Sequence, residues 1–112
     1  MEDYKDLYKG KIGVILTNLG TPNAPSKKAL KKYLNQFLMD KRVVDLNRLI
    51  WIPILKLIIL SVRPKKSAKL YKKIWTKDGS PLMVFMNNIK KLITERFSSS
   101  KDDFQFEIAM RY

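Results

Sequence analysis

Two residue types are missing from this 112-residue chain: it has no cysteine and no histidine. Without cysteine there is no disulfide and no thiolate metal site, and the chain suits a reducing compartment. Without histidine, the commonest general base and the commonest transition-metal ligand are both gone. Chemistry carried by these residues alone falls to carboxylates, lysine or tyrosine. Acid is scarce as well: 10 Asp and Glu stand against 23 Lys and Arg, a formal charge of +13. Such a field favours anionic partners, whether nucleic acid, acidic lipid headgroups or carboxylated ligands. The lysines come as scattered pairs (Lys27-Lys28, Lys31-Lys32, Lys65-Lys66, Lys72-Lys73, Lys90-Lys91). That is the usual look of solvated helix backs, without the arginine and aromatic clustering of a nucleic-acid module. Long apolar runs are lacking too. The longest, Leu49–Val62, is interrupted by Pro53 and Lys56 and falls short of the ~20 residues that span a bilayer. It can rest on a membrane but not cross one. Met1–Lys11 is polar and charged, with no apolar core of an export signal.

What is present suits one domain with an ample core, since 46% of the residues are hydrophobic. The run Ile12–Leu16 is apolar apart from Gly13, as expected of a strand covered on both faces. It leads into Asn18-Leu19-Gly20-Thr21-Pro22, where Gly20 lets the backbone bend and Pro22 sets the following loop. Open α/β sheets bind ligands at the carboxyl ends of their strands, so this turn is a candidate site. Ser26 is a good N-cap for a helix whose Leu30, Tyr33, Leu34, Phe37 and Leu38 share one face. The charged turn Asp40–Arg42 leads to Val43–Leu46. Leu49–Leu60 is apolar on nearly every side, so it must be buried or lie against a membrane or ligand. Pro53 starts or kinks a helix there, and Arg63-Pro64 is expected to end the element. Ser67 then caps a short helix carrying Ala68, Tyr71, Ile74 and Trp75, broken by Lys77-Asp78-Gly79-Ser80-Pro81. A longer helix follows over about Leu82–Phe97. Phe104, Phe106, Ile108 and Met110 alternate at strand period.

The inventory is one strand, three or four helices, and a second strand. Two parallel strands do not make an independent sheet, and the chain stops at the carboxyl end of a strand, where a βα loop should begin. An incomplete domain is expected.

These residues, in this order and spacing, resemble the N-terminal third of bacterial ferrochelatases. The blocks are Gly13-Val14, Asn18–Pro22, Tyr33-Leu34 with Phe37-Leu38, Arg42–Leu46, Trp51-Ile52-Pro53, Ile58-Ile59 and Arg63–Ala68. Tyr71, Ile74–Thr76, Gly79–Leu82 and Ala109–Tyr112 complete them. The resemblance covers about Lys11 to Tyr112. It implies an α/β, chelatase-like fold: a flavodoxin-like parallel sheet with flanking helices, here the incomplete first half of a two-domain enzyme. A polar tail at 1–10 would precede the N-terminal part of the first domain, 11–112, with a hydrophobic lip at 47–63.

The implied activity is insertion of ferrous iron into protoporphyrin IX to form protohaem, in a cytoplasmic enzyme that touches the membrane peripherally through 49–62. Leu19 would pack on the macrocycle, with a plain core leucine as the alternative. Trp51, Ile52, Ile54, Leu55, Ile58 and Ile59 would line or cover the ring, or be ordinary core. Arg63 would face a propionate, and guanidinium geometry suits a carboxylate. Tyr71 and Ser80 would hydrogen-bond the propionates, with core packing the competing role for Tyr71. Arg111 and Tyr112 would point toward the cleft. The family's catalytic histidine and facing glutamate have no counterpart here. The chain therefore supplies porphyrin-cleft walls, with no cofactor or metal site of its own, and is expected to be inactive alone. A porphyrin-binding fragment without catalysis is the second reading, and a basic nucleic-acid-binding module the third.

Overall fold

The structure, a computed structural model, describes residues 11–112. The polar tail expected over 1–10 lies outside them.

Strand β1 is Lys11–Asn18 and strand β2 is Asp103–Met110. They pair in parallel, from Lys11 opposite Asp103 to Asn18 opposite Met110. A parallel pair needs a crossover, and here the whole helical segment supplies it. Helix α1 is Lys27–Met39. It starts at Ser26, whose Oγ accepts the Ala29 amide at 3.2 Å. Helix α2 is Arg48–Pro53, capped by Asn47. It passes directly into a π-helical segment, Ile54–Ile59, and then into helix α3, Leu60–Ile74. Helix α4, Pro81–Phe97, begins with Ser80 accepting the Met83 amide at 3.2 Å and with proline in its first turn.

Two small cores result. In one, α1 lies along α3 and buries Leu30 together with Leu55, Leu60, Pro64 and Ala68. In the other, α4 covers one face of the sheet. Phe97 meets Phe104 and Phe106 at centroid distances of 4.9 and 5.8 Å, and Met86 and Phe106 are buried. The alternation along β2 puts those phenylalanines on one side because successive side chains point to opposite faces. No helix among the described residues covers the other face, where Ile15 is 65% exposed.

One break expected from the sequence is absent. Arg63-Pro64 does not end an element and Ser67 does not open one, because α3 runs through all three. Pro64 forgoes one backbone bond, but its ring is fully buried between helices, and that burial offsets the local cost. The neighbouring Leu60 amide is held by the carbonyls of Leu55 and Ile58. The expectation at Pro53 is met differently: the helix continues, and its hydrogen bonding widens to the π pattern immediately after the ring.

Leu30 has no exposed surface, whereas Leu70 is 64% exposed on α3. Leu30→Ala is expected to lower the unfolding free energy by about 2–5 kcal/mol in urea denaturation. Leu70→Ala should change it by no more than about 0.5 kcal/mol. Equal losses would show that α1 and α3 do not form a core.

Candidate functional site

The carboxyl ends of β1 and β2 meet in a backbone arrangement that only glycine permits. The Arg111 amide donates to the Asn18 carbonyl and the Tyr112 amide to the Leu19 carbonyl, each at 3.1 Å, so the parallel ladder continues past the strands. Gly20 then turns away at φ +125°. A Cβ at Gly20 would fall on the Tyr112 carbonyl oxygen. Asn18 shapes the same turn: its Oδ1 accepts the Leu19 amide at 2.7 Å, while its Nδ2 reaches the Met86 sulfur at 3.6 Å. Leu19 is left 48% exposed at the lip of this turn. Thr17, Asn18, Leu19, Ala109, Met110 and Arg111 bound an open groove there.

An aromatic row from α1 supports the turn. Tyr33 stacks along Phe37 with centroids 6.0 Å apart, and Phe37 meets the Tyr112 ring edge-on at 5.3 Å. The Tyr33 hydroxyl donates to the Gly20 carbonyl at 3.5 Å. Burial raises the Tyr33 phenol above its ordinary pKa, and the nearby phenols of Tyr71 and Tyr112 add to the shift. Tyr71, from α3, thus belongs to the same neighbourhood, where it packs edge-on to Trp75 at 6.2 Å.

At the end of α1, the Asp40 carboxylate collects three donors. Its Oδ1 accepts the Arg42 amide at 2.8 Å. Its Oδ2 accepts Arg111 Nη2 at 2.8 Å and the Tyr112 hydroxyl at 2.6 Å. Arg111 Nε also donates to the Tyr112 oxygen at 3.0 Å, which closes a triangle of three side chains. The Tyr112 hydroxyl first, then the Arg42 amide and Arg111, hold Asp40 well below the usual carboxylate range. Asp40 and then Tyr112 raise the Arg111 pKa in turn.

Of the six residues singled out from the sequence, Leu19, Arg111 and Tyr112 come together here, and Tyr71 stands nearby. Arg63 is exposed on α3, eight residues before Tyr71, or about 12 Å along the axis. Ser80 is buried at the start of α4. Its lone pair is used by the cap, and its hydroxyl proton has no acceptor among the described residues.

The expected lip is only partly one. Leu55 is fully buried and belongs to the core with α1. Trp51 turns inward, its indole N–H donating to the Leu38 carbonyl at 2.8 Å. Ile52, Ile54 and Ile58 of the expected lip are exposed, and the most exposed ridge joins Ile58 to Leu49, Ile50, Leu57 and Val62, with Leu49 86% and Leu57 73% exposed. On the α1 side, Lys28, Lys31, Lys32 and Lys56 surround a shallow groove.

Asp40 and the Tyr33–Phe37 row are site features that sequence reasoning missed. The aromatics read as ordinary apolar face. Asp40 carried a faint signal, since an acid at a helix carboxyl end opposes the helix dipole and so calls for another partner.

Residues 11–112 match the ferrochelatase family model over their whole length. The chain belongs to the ferrochelatase family. It is 49% identical to the ferrochelatase of Wigglesworthia glossinidia brevipalpis over 104 residues, 93% of this chain and 31% of that protein. It is 48% identical to the ferrochelatase of Alcanivorax borkumensis over 112 residues, 99% of this chain and 33% of that protein. The Haemophilus influenzae ferrochelatase is 50% identical over 102 residues, 91% of this chain and 32% of that protein. The chain thus spans about a third of the length of these curated ferrochelatases and corresponds to their N-terminal portion. The α/β arrangement with its parallel strand pair is that of a chelatase-fold portion. No solved structure matches this chain. Among the described residues, no three Asp or Glu side chains gather to hold a metal, and no helix is long and apolar enough to cross a membrane.

The lowered pKa of Asp40 has a definite sign in stability. A carboxylate more acidic in the folded state contributes fully above the unfolded value of about 4 and loses that contribution as pH falls toward the folded one. Denaturation midpoints of the chain and of Asp40→Asn should therefore differ most at neutral pH and converge below about pH 4. A gap that widens on acidification would contradict the assigned partners.

Proposed function

We propose that this chain forms one wall of a cleft that grips protoporphyrin IX in an enzyme inserting ferrous iron to form protohaem. The observation that carries the reading is the convergence of Leu19, Arg111 and Tyr112 at the carboxyl ends of the strands, where α/β sheets take ligands. An apolar macrocycle with two carboxylates needs a greasy surface edged by guanidinium and hydroxyl groups. Leu19 and the exposed ridge offer the first, and Arg63, Arg111, Tyr71, Tyr112 and Ser80 the second. The hydroxyl of Ser80 accepts its cap bond and still has a proton to donate to a carboxylate.

The division of labour follows from composition. Metallation requires that the pyrrole nitrogens lose two protons and that the ring bend enough to expose their lone pairs. Strain of that kind is offset by binding energy at the periphery of the substrate, and peripheral contacts are what this chain carries. With no histidine in the sequence, the proton acceptor and the ligands that deliver iron are assigned to residues outside it. Iron and protoporphyrin are substrates here, not resident cofactors.

The ridge of Leu49, Ile50, Leu57, Ile58 and Val62, with lysines beside it, also suits a peripheral membrane contact, because apolar side chains insert while lysines meet anionic headgroups. The absence of cysteine favours a cytoplasmic setting.

Protoporphyrin IX added to the chain should shift its Soret band at micromolar concentration, with no protohaem formed on adding ferrous iron. Arg63→Ala should weaken the binding about tenfold, as expected for loss of one charge-assisted contact. No spectral change would overturn the cleft reading, and turnover would overturn the placement of the proton chemistry elsewhere. Replacing both Leu57 and Ile58 with Glu should abolish co-sedimentation with anionic vesicles.

A further inference from the structure

We infer that Asp40 is a positioning residue for carboxylate recognition: it fixes Arg111 and Tyr112 in one orientation at the strand ends, leaving the Arg111 Nη1 group free for a ligand oxygen. The inference rests on the cleft reading above and adds a residue to it.

Three observations support it. First, the triangle is closed. Asp40 Oδ2 takes Arg111 Nη2 and the Tyr112 hydroxyl, and the Tyr112 oxygen takes Arg111 Nε. Each side chain is therefore held by the other two, and the guanidinium plane cannot turn without breaking two charge-assisted bonds. Second, the anchor is firm. Asp40 ends α1, its own amide bonded to the Phe37 carbonyl and its Oδ1 to the Arg42 amide, and its side chain is only 18% exposed. Arg111, by contrast, is 45% exposed. Third, the Arg111 donors are not all used. Among the described residues Arg111 uses Nε and Nη2, while Nη1 has no partner. A guanidinium offers five donors in a rigid fork, and its remaining edge suits a carboxylate oxygen.

The chemistry also accounts for an acid in so basic a chain. Arginine alone at the end of a strand samples many rotamers, and a ligand would have to order it. Paying that ordering cost during folding leaves more of the contact for binding. Asp40 would lower the net charge at the site, so its presence favours a ligand chosen by geometry over one drawn by charge alone.

The test uses two readouts on the chain and on Asp40→Asn, Asp40→Glu and Tyr112→Phe. The first is the Arg111 Nε–H signal in 15N NMR. It should be slowly exchanging in the unsubstituted chain, lost in Asp40→Asn, and retained at least in part in Asp40→Glu. The second is titration with protoporphyrin IX and with its dimethyl ester, which lacks the carboxylates. The unsubstituted chain should bind the diacid about tenfold more tightly than the ester, a contrast of one charge-assisted contact, and Asp40→Asn should lose most of that contrast while binding the ester unchanged. An unaltered Arg111 signal in Asp40→Asn, or a diacid preference that survives it, would overturn the positioning role alone. No binding of either porphyrin by the unsubstituted chain would overturn the cleft reading, and the positioning role with it.

Discussion

The site depends on how closely two backbones approach at Gly20 and Tyr112. The parallel ladder between β1 and β2 runs two hydrogen bonds beyond the sheet, through Asn18 and Leu19. That extension is sterically possible only because Gly20 has no side chain and adopts φ +125°. Once the backbones are locked, Leu19, Arg111 and Tyr112 are placed at one end of the molecule by the strands themselves. The aromatic row from α1 and the Asp40 carboxylate then fix what the side chains do. Backbone geometry brings the groups together, and the α1 contacts orient them.

The rest of the molecule is built around exposed surface more than around a core. Its extents are 55 × 39 × 15 Å and its radius of gyration is 19.4 Å, against about 13 Å for a compact domain of this length. Among the described residues, one face of the sheet carries no helix and the ridge from Leu49 to Val62 meets nothing on its outer side. The chain aligns with about a third of each related ferrochelatase. Charge follows the same pattern. Only Lys90–Glu107 and Arg111–Asp40 form ion pairs among the described residues, so most of the lysine charge faces outward, where it attracts anions. Asp40 is tied at the end of α1, and Lys90 with Gln105 likewise keeps Glu107 more acidic than usual.

Local rules and tertiary packing agree over most of the chain. Ser26 and Ser80 cap helices as their positions suggest, Gly20 bends as a strand-end glycine should, and the alternating phenylalanines of β2 share a face. They disagree in the region from Trp51 to Ser67. Read locally, two prolines and a serine divide it into pieces. In the structure it is one helical rod with a π-helical stretch in the middle. The rod persists because Leu55, Leu60, Pro64 and Ala68 are buried against α1, and burial of several side chains outweighs the backbone bonds that Pro53 and Pro64 forgo. The same packing decides which apolar residues are core. Leu55 and Trp51 turn inward while Leu57 and Ile58, two and three positions on from Leu55, face out.

Family, fold class and the glycine turn at the end of the first strand were legible in the sequence, because they rest on ordered motifs, periodicity and the turn chemistry of glycine and proline. So was the inability of this chain to supply a histidine. The partners of Arg111 were not legible. An aspartate at the end of one helix and an arginine at the end of a distant strand carry no local mark of their pairing, and only the packing of α1 against the strand ends brings them within hydrogen-bond reach. For the same reason, the sequence showed an apolar segment but not which of its sides is exposed: that depends on the helix it packs against, and helical periodicity is silent where nearly every position is apolar.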